Sequence, residues 1–270
     1  MGSLMESKFT PEQHTMIRKV LVAQTASLGV AEVPIVEDLL TRGRYRTVLD
    51  IGCGEGSFLL QLARKVHGAH FVGIDHNELA VNDALRKLRR LSLRNVRFAA
   101  AFFDQHFERT KYEAIMTRYT LQHSSEPKVF VKAVFERLKK KGMFLALESL
   151  DAYTDCHKPD PIWERFRTAV AAIHKRTGSN DNIGKSLGLL LKTAGFRDIQ
   201  VRVVFCSPST VGVKKFRAVV QALADLAFAF FPDLFDGGLH EDIKGWLADR
   251  TSLEEKDPYL CSAVANATKP

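Results

Sequence analysis

At 270 residues, with 46% hydrophobic and 26% charged residues, the chain has the size and composition of one α/β globular domain with elaborations. No apolar run is long enough to span a bilayer, and the opening MGSLMESKFTPEQ lacks the apolar core of a secretory signal, so a cytoplasmic protein without membrane contact is expected. Cys53, Cys156, Cys206 and Cys261 lie far apart with no zinc-ligand spacing, which points to reduced thiols and no metal. The net charge of +8 raises nucleic acid as a partner. However, the basic runs at 84–97 and 137–142 read as a solvated helix face and a helix end, without interleaved aromatics.

Residues 8 to 40 read as helical. PEQHTMIRKVLVAQTASLG places Met16, Val20, Leu21 and Leu28 at helical spacing, with Pro11 suited to a first turn and Thr10 to an N-cap. VPIVEDLLTRG reads as a second helix ending near Gly43. RYRTVLDIG is the first strand. Gly52, Gly54 and Gly56 then alternate with other residues, and FLLQLARKV continues at helical spacing to about Val66. HFVGID is a second strand with Asp75 at its tip.

Strand, glycine turn and helix together make a nucleotide-binding arrangement. Glycine admits positive φ and lets a ligand approach without a Cβ in the way, and the turn delivers that ligand to unpaired N–H groups at a helix start. The dinucleotide fingerprint fails, because its sixth position falls on Ser57 or Leu59, and no P-loop Lys follows. Asp50, just before the first glycine, disfavours a pyrophosphate and suits a ligand with a positive or hydrogen-bond-donating end. Asp75 can accept both hydroxyls of a ribose.

VLDIGCGEGSFLLQLA and FVGIDHN resemble motifs I and II of the class I (Rossmann-like) S-adenosylmethionine (SAM)-dependent methyltransferases. The similarity is to their small-molecule (methyltransferase type 11/12-like) branch. It extends diffusely from about Tyr45 to the C-terminus and is sharp at 48–58 and 71–77. It implies a doubly wound, mostly parallel seven-stranded sheet with an antiparallel last strand, preceded by N-terminal helices and carrying a helical elaboration over the active site. The implied organisation is a helical cap over 1–44 and a SAM-binding domain over 45–270, with insertions at about 150–183 and 213–250. The leading helices either cover the cofactor or pack on the sheet edge.

In the resemblance, Asp50 and the glycine loop with Gly52, Cys53 and Gly54 hold the methionine end of the cofactor, Asp75 holds the ribose, and His76 is a further cofactor-binding residue. NVRFAAAFF is the third strand. The family's adenine-contacting acid is expected near Phe102 or Phe103, where Asp104 comes late, so either Asp104 reaches adenine or Phe102 and Phe103 wall it.

YEAIMTRYTLQH is the fourth strand and its exit, with Glu113 in place of the usual Asp. Arg118 is expected beside the cofactor, and Tyr119 and His123 at the acceptor. His123 reads as a general base, as a polar wall or as a cap on the helix SSEPKVFVKAVFERLKK. In the turn KKKG, Gly142 carries the positive-φ option before GMFLALESL, the fifth strand. Glu148 at that strand's end meets a substrate cation, takes a hydroxyl proton or caps a helix.

IWERFRTAVAAIHKRTG is a helix whose Trp163 and Phe166 are candidates for substrate contact. Gly195 closes the next helix, and DIQVRVVF is a further strand. VKKFRAVVQALADLAFAFFPDLF, with Phe228, Phe230 and Phe231, reads as a helix buried on more than one side; it lines a pocket, forms a dimer contact or belongs to the core. YLCSAVANATK suits the antiparallel last strand.

The function implied is transfer of a methyl group from SAM to a small, apolar or aromatic acceptor by in-line displacement, leaving S-adenosylhomocysteine. His123, Tyr119 and Glu148 would be at the reacting end, in a monomer or homodimer. An RNA methyltransferase and a non-catalytic SAM-binding partner protein are the alternatives.

Overall fold

The computed structural model describes residues 10–103, 110–235 and 238–270. Helix α1 spans Pro11–Ser27 and α2 Gly29–Arg42. The central run is β1 Thr47–Ile51, α3 Ser57–Lys65, β2 His70–Asp75, α4 Glu78–Arg89, β3 Val96–Ala100, β4 Tyr112–Arg118, α5 Pro127–Arg137 and β5 Leu138–Ser149. After it come β6 Asp155–Cys156, α6 Pro161–Thr177, α7 Leu187–Ala194, β7 Arg197–Cys206 and α8 Pro208–Val211. Helices α9 Val213–Phe230, α10 Leu239–Ala248 and α11 Arg250–Lys256 precede the last strand, β8 Pro258–Thr268. The chain divides into two compact units.

The larger unit comprises Ala31–Ser149, Asn182–Val204 and Ser262–Pro270. Its strands run in the order β3-β2-β1-β4-β5-β8, with β7 also on β8. β1 to β5 pair in parallel, and β8 is antiparallel to β5, as expected for the last strand. The apolar strand residues Val48, Leu49, Ile115, Met116, Phe144 and Leu145 are all fully buried, as a sheet covered on both faces requires. Helix α3 buries Phe58, Leu59, Leu60, Leu62 and Ala63 and ends on Arg64 and Lys65, where its dipole favours cations. Leu85, Leu88 and Leu91 pack against the same core, so the basic residues of 84–97 are carried by an amphipathic segment.

Register places the site. Ile51 lies beside both Ile74 and Thr117, and Thr117 lies beside Ala146. The C-terminal ends of β1, β2, β4 and β5 are therefore level, and Asp50, Asp75, Arg118 and Glu148 all fall at that edge.

Two local expectations are corrected. Gly142 does not take the positive φ in the lysine turn; Lys141 does, at 62°. The turn is held from outside, since Glu113 accepts Lys139 Nζ at 3.2 Å and Lys141 N–H donates to Lys269 O at 2.9 Å. Helix α2 starts at Gly29 and keeps Pro34 inside it, rather than starting at the VPIVEDLL segment.

The second unit is mainly helical and comprises the described part of Met1–Val30 together with Leu150–Asp181 and Phe205–Cys261. Thr10 caps α1 through a capping box with Gln13. Short β6 pairs with Pro258 and Tyr259 at the start of β8. The unit's core is aromatic: Trp163 stacks on Trp246 at 5.5 Å and meets Phe166 at 5.7 Å and Phe216 at 6.0 Å. Helix α9 buries one face, through Phe216, Val219, Val220 and Ala224, and not more than one. Phe228 is exposed and stacks on His240 at 4.3 Å.

Asp160 fastens this unit together. It caps α6 by accepting Ile162 and Trp163 N–H at 2.8 and 3.0 Å, accepts Trp246 Nε1–H at 3.1 Å and pairs with Lys256. Asp160→Ala removes the cap and strands the indole N–H and the ammonium, and is expected to cost about 3 kcal/mol. Both of the chain's tryptophans, Trp163 and Trp246, sit in this unit. Intrinsic fluorescence during urea unfolding reads the loss directly, and an unchanged midpoint would remove Asp160 from this role.

Candidate active site

The turn after β1 is built by its glycines. Gly52, Gly54 and Gly56 have φ of 76°, 54° and 79°, a region that side chains with a Cβ avoid. A Cβ on Gly52 would collide with the Thr120 side chain, and one on Gly56 would lie 2.7 Å from Ala84 Cβ and 2.9 Å from Phe98 Cζ. Gly52 and Cys53 N–H both donate to Ile74 O, at 2.8 and 3.0 Å. Asp75 Oδ2 accepts Gly54 N–H at 2.8 Å, while its Oδ1 accepts Asn77 N–H at 2.9 Å. Each oxygen keeps a further lone pair for a ligand hydroxyl. Glu55, fully enclosed, accepts Ser57 Oγ at 2.7 Å and pairs with Lys87 of α4, which pins the turn from its other side.

Asp50 is different from every other acid here. It is 2% exposed, and its Oδ1 is sealed from solvent with no hydrogen-bond partner. Burial pushes its carboxyl up to about 7, against the pull of the Arg118 guanidinium and with a further push from Asp75. An orphaned buried carboxylate oxygen is costly unless a ligand completes it. The same burial, with Asp50 and Asp75 adding to it, drives the Cys53 thiol well above its ordinary value, so Cys53 contributes backbone and bulk rather than a thiolate.

The remaining expected cofactor residues are placed as follows. His76 stacks on Phe102 at 5.6 Å beyond the tip of β2. The Phe103 ring lies 5.5 Å from Phe130 of α5. Asp104 lies outside the described residues. The Arg118 side chain is turned away from solvent, bonded through Nε to Glu32 Oε2 at 2.8 Å, with its guanidinium 4.6 Å over the Phe58 ring. It therefore reaches Asp50 by its field and not by a hydrogen bond.

At the expected acceptor end, the structure revises several roles. Tyr119 does not present its hydroxyl outward: it donates to Glu32 at 2.6 Å, and burial followed by the Glu32 charge raises the phenol well above its ordinary value. Glu148 is fully buried and turned inward. It accepts the N–H groups of Thr120, Leu121 and Gln122 at 3.3, 3.0 and 3.2 Å and the Thr117 hydroxyl at 3.3 Å. It thus takes the helix-capping reading, holding the short helical turn Leu121–His123 after β4. Burial pushes it up to about 7, opposed by those donors. His123 is half-buried, its Nε2 3.1 Å from the Gln122 amide nitrogen. Because the Ser149 hydroxyl donates to Gln122 Oε1, that amide presents N–H to the ring. Trp163 and Phe166, expected at the substrate, are 1% and 3% exposed in the helical unit's core, since the same helical spacing serves packing.

Sequence reasoning missed Glu32, Glu55, Lys87 and Gln122. Only Glu55, inside the glycine turn, carried a local signal. Among the described residues no group of acids, histidines and cysteines could hold a metal ion. Likewise, no single helix there is long and apolar enough to cross a membrane.

A parallel sheet with an antiparallel strand beside β5, and a left-handed glycine turn tied to an acid at the next strand tip, define a Rossmann-like fold. Residues 44–175 match a family model described as "Methyltransferase domain". Over that stretch the chain is similar to a methyltransferase domain. Over 115 residues it is 32% identical to a probable (S)-tetrahydroprotoberberine N-methyltransferase 2 of Papaver bracteatum, covering 42% of this chain and 30% of that protein. Over 140 residues it is 29% identical to N-methyltransferase 4 of Papaver somniferum, covering 50% and 38%. The chain thus spans well under half the length of these two relatives. The structure of a SAM-dependent methyltransferase from Aquifex aeolicus shares the fold at a TM-score of 0.54 and 18% identity, covering 97% of this chain and all of that one.

A folded-state carboxyl value above the unfolded one means that the folded chain keeps protons the unfolded chain releases. The contribution of Asp50 to stability is therefore full below about pH 4 and is lost as the pH rises to about 7. In ligand-free urea unfolding between pH 5 and pH 8, Asp50→Asn is expected to lose about 2 kcal/mol less than wild type. Parallel pH profiles for the two would contradict the assignment.

Proposed function

We propose that this chain binds SAM at the turn after β1 and transfers its methyl group to a small-molecule acceptor, an amine nitrogen being the first acceptor class to test. The observation that carries the reading is Asp50: a buried carboxylate with one oxygen unpartnered, behind three left-handed glycines. That site fits a ligand with a cationic amino group and does not fit a phosphate. The amine preference is supported by the two poppy relatives, both named as N-methyltransferases.

In this reading Asp50 and the backbone of Gly52, Cys53 and Gly54 hold the amino-acid end. Asp75, with His76 beside it, uses its spare lone pairs on the ribose hydroxyls, and Phe102 and Phe103 border the adenine. The bound cofactor supplies a methyl group already activated on a sulfonium. The chain's task is to orient the nucleophile in line with the methyl–sulfur bond and to exclude water, and such positioning provides much of the rate. A neutral amine acceptor would need no base to react, so this chain's residues would have only to place its nitrogen and keep water out. His123 Nε2, already accepting from Gln122, serves as a polar wall better than as a base. Glu148 and Tyr119 keep the 119–123 loop in shape.

Asp75→Ala is expected to weaken S-adenosylhomocysteine binding at least tenfold in calorimetry, while leaving the circular dichroism spectrum intact. Unchanged affinity would remove Asp75 from the ribose. Incubation with methyl-labelled SAM and separate pools of small amines, phenols and total RNA tests the acceptor. Label in the amine pool supports the proposal; label confined to RNA would replace it.

A further inference from the structure

Glu32 is a buried acid with an unusual set of partners. It is 0% exposed on α2, inside the larger unit. One oxygen accepts Arg118 Nε–H at 2.8 Å; the other accepts the Tyr119 hydroxyl at 2.6 Å and the Ser262 hydroxyl at 3.2 Å. Three separate elements, α2, β4 and β8, converge on this one carboxylate.

Stability alone does not explain the cluster. A buried ion pair seldom outdoes an apolar replacement of the same size, because desolvation offsets the attraction. Tyr119 also holds a φ of 52°, a conformation that residues with a Cβ avoid, and such strain collects where side-chain placement matters. Its N–H donates to Leu147 O at 2.7 Å and its hydroxyl to Glu32, so both ends of the residue are tied down.

Arg118 shows what is being placed. Asp50 pairs in register with Met116, so Arg118, two residues further along β4, lies on the same face of the sheet as that partner; the charged and titratable groups acting on Asp50 are Arg118 from β4, Asp75 from β2 and the Cys53 thiol of the turn. Arg118 is the cation among them, yet no ion pair joins it to Asp50; Glu32 is one of its partners, with the Phe58 and Tyr119 rings at 4.6 and 4.8 Å. A guanidinium released near an unpartnered buried carboxylate would close onto it and occupy the place of a ligand's ammonium.

We infer that Glu32 is a positioning residue: by holding Arg118 through Nε, and Tyr119 through its hydroxyl, it keeps Arg118 off Asp50 and leaves Asp50 open to the cationic end of the cofactor. The inference rests on the proposed cofactor reading and deepens it.

The test uses the full chain with Glu32→Gln, Arg118→Met and the double variant. Carboxyl-labelled aspartate NMR on ligand-free protein, with Asp50→Asn for assignment, follows the Asp50 titration. Glu32→Gln is expected to lower it by more than one pH unit, whereas Arg118→Met and the double variant do not lower it. Calorimetry with S-adenosylhomocysteine is expected to show more than tenfold weaker binding to Glu32→Gln, with the double variant returning to within threefold of Arg118→Met. A merely structural role would weaken the double variant as much as the single one. Should Glu32→Gln not fold, Glu32→Asp keeps the charge but cannot span both partners, and is expected to move the Asp50 titration the same way by less. An unmoved Asp50 titration in the folded glutamine variant, or in Glu32→Asp if that is the one that folds, overturns the inference. If wild type binds no S-adenosylhomocysteine while the titration still moves, the positioning stands and the cofactor reading falls.

Discussion

The carboxylate of Asp75 ties the tip of β2 to the backbone of the glycine turn, and the site depends on that tie. The turn leaves β1 through three left-handed residues and must pass close to Thr120, Ala84 and Phe98. Backbone of this kind has no helix or sheet to order it, so its N–H groups need outside acceptors. Ile74 O takes two of them and Asp75 takes a third. One strand tip thus both shapes the turn and offers the acid that a ribose would use.

The buried acids of the larger unit separate by how well they are satisfied. Glu148 accepts three backbone N–H groups and a hydroxyl, and so organises the loop after β4. Glu32 accepts from an arginine, a tyrosine and a serine. Glu55 has Ser57 and Lys87. Asp50 alone among these four keeps an oxygen with nothing to accept. In an interior where unpaired polar atoms are expensive, that incomplete acid is the ground for proposing a ligand there.

Much of this was legible in the sequence because it is local. The VLDIG run, the alternating glycines and the acid ending HFVGI each occupy a few consecutive residues, and strand order followed from the family they resemble. The Thr10 cap was readable for the same reason. Glu32 was not, since it looks like any polar residue of an amphipathic helix until β4, 86 residues away, folds against it. Glu148 was placed at the right edge with three readings open, of which the hydrogen bonds match helix capping, because a strand-end acid reads alike whether it faces a ligand or a loop. Trp163 and Phe166 show the same limit: aromatic residues one helical turn apart pack a core as readily as they line a pocket. Positive φ in the lysine turn went to Lys141 rather than Gly142 because Glu113 and Lys269 fix that turn from a distance.

The central claim is that the turn after β1 holds SAM through its cationic end and its ribose. Titration calorimetry of the wild-type chain with S-adenosylhomocysteine, with NAD as the control, tests it most directly. The account predicts one site filled by S-adenosylhomocysteine with at least micromolar affinity and no heat from NAD. Binding of NAD, or of neither ligand, would contradict it.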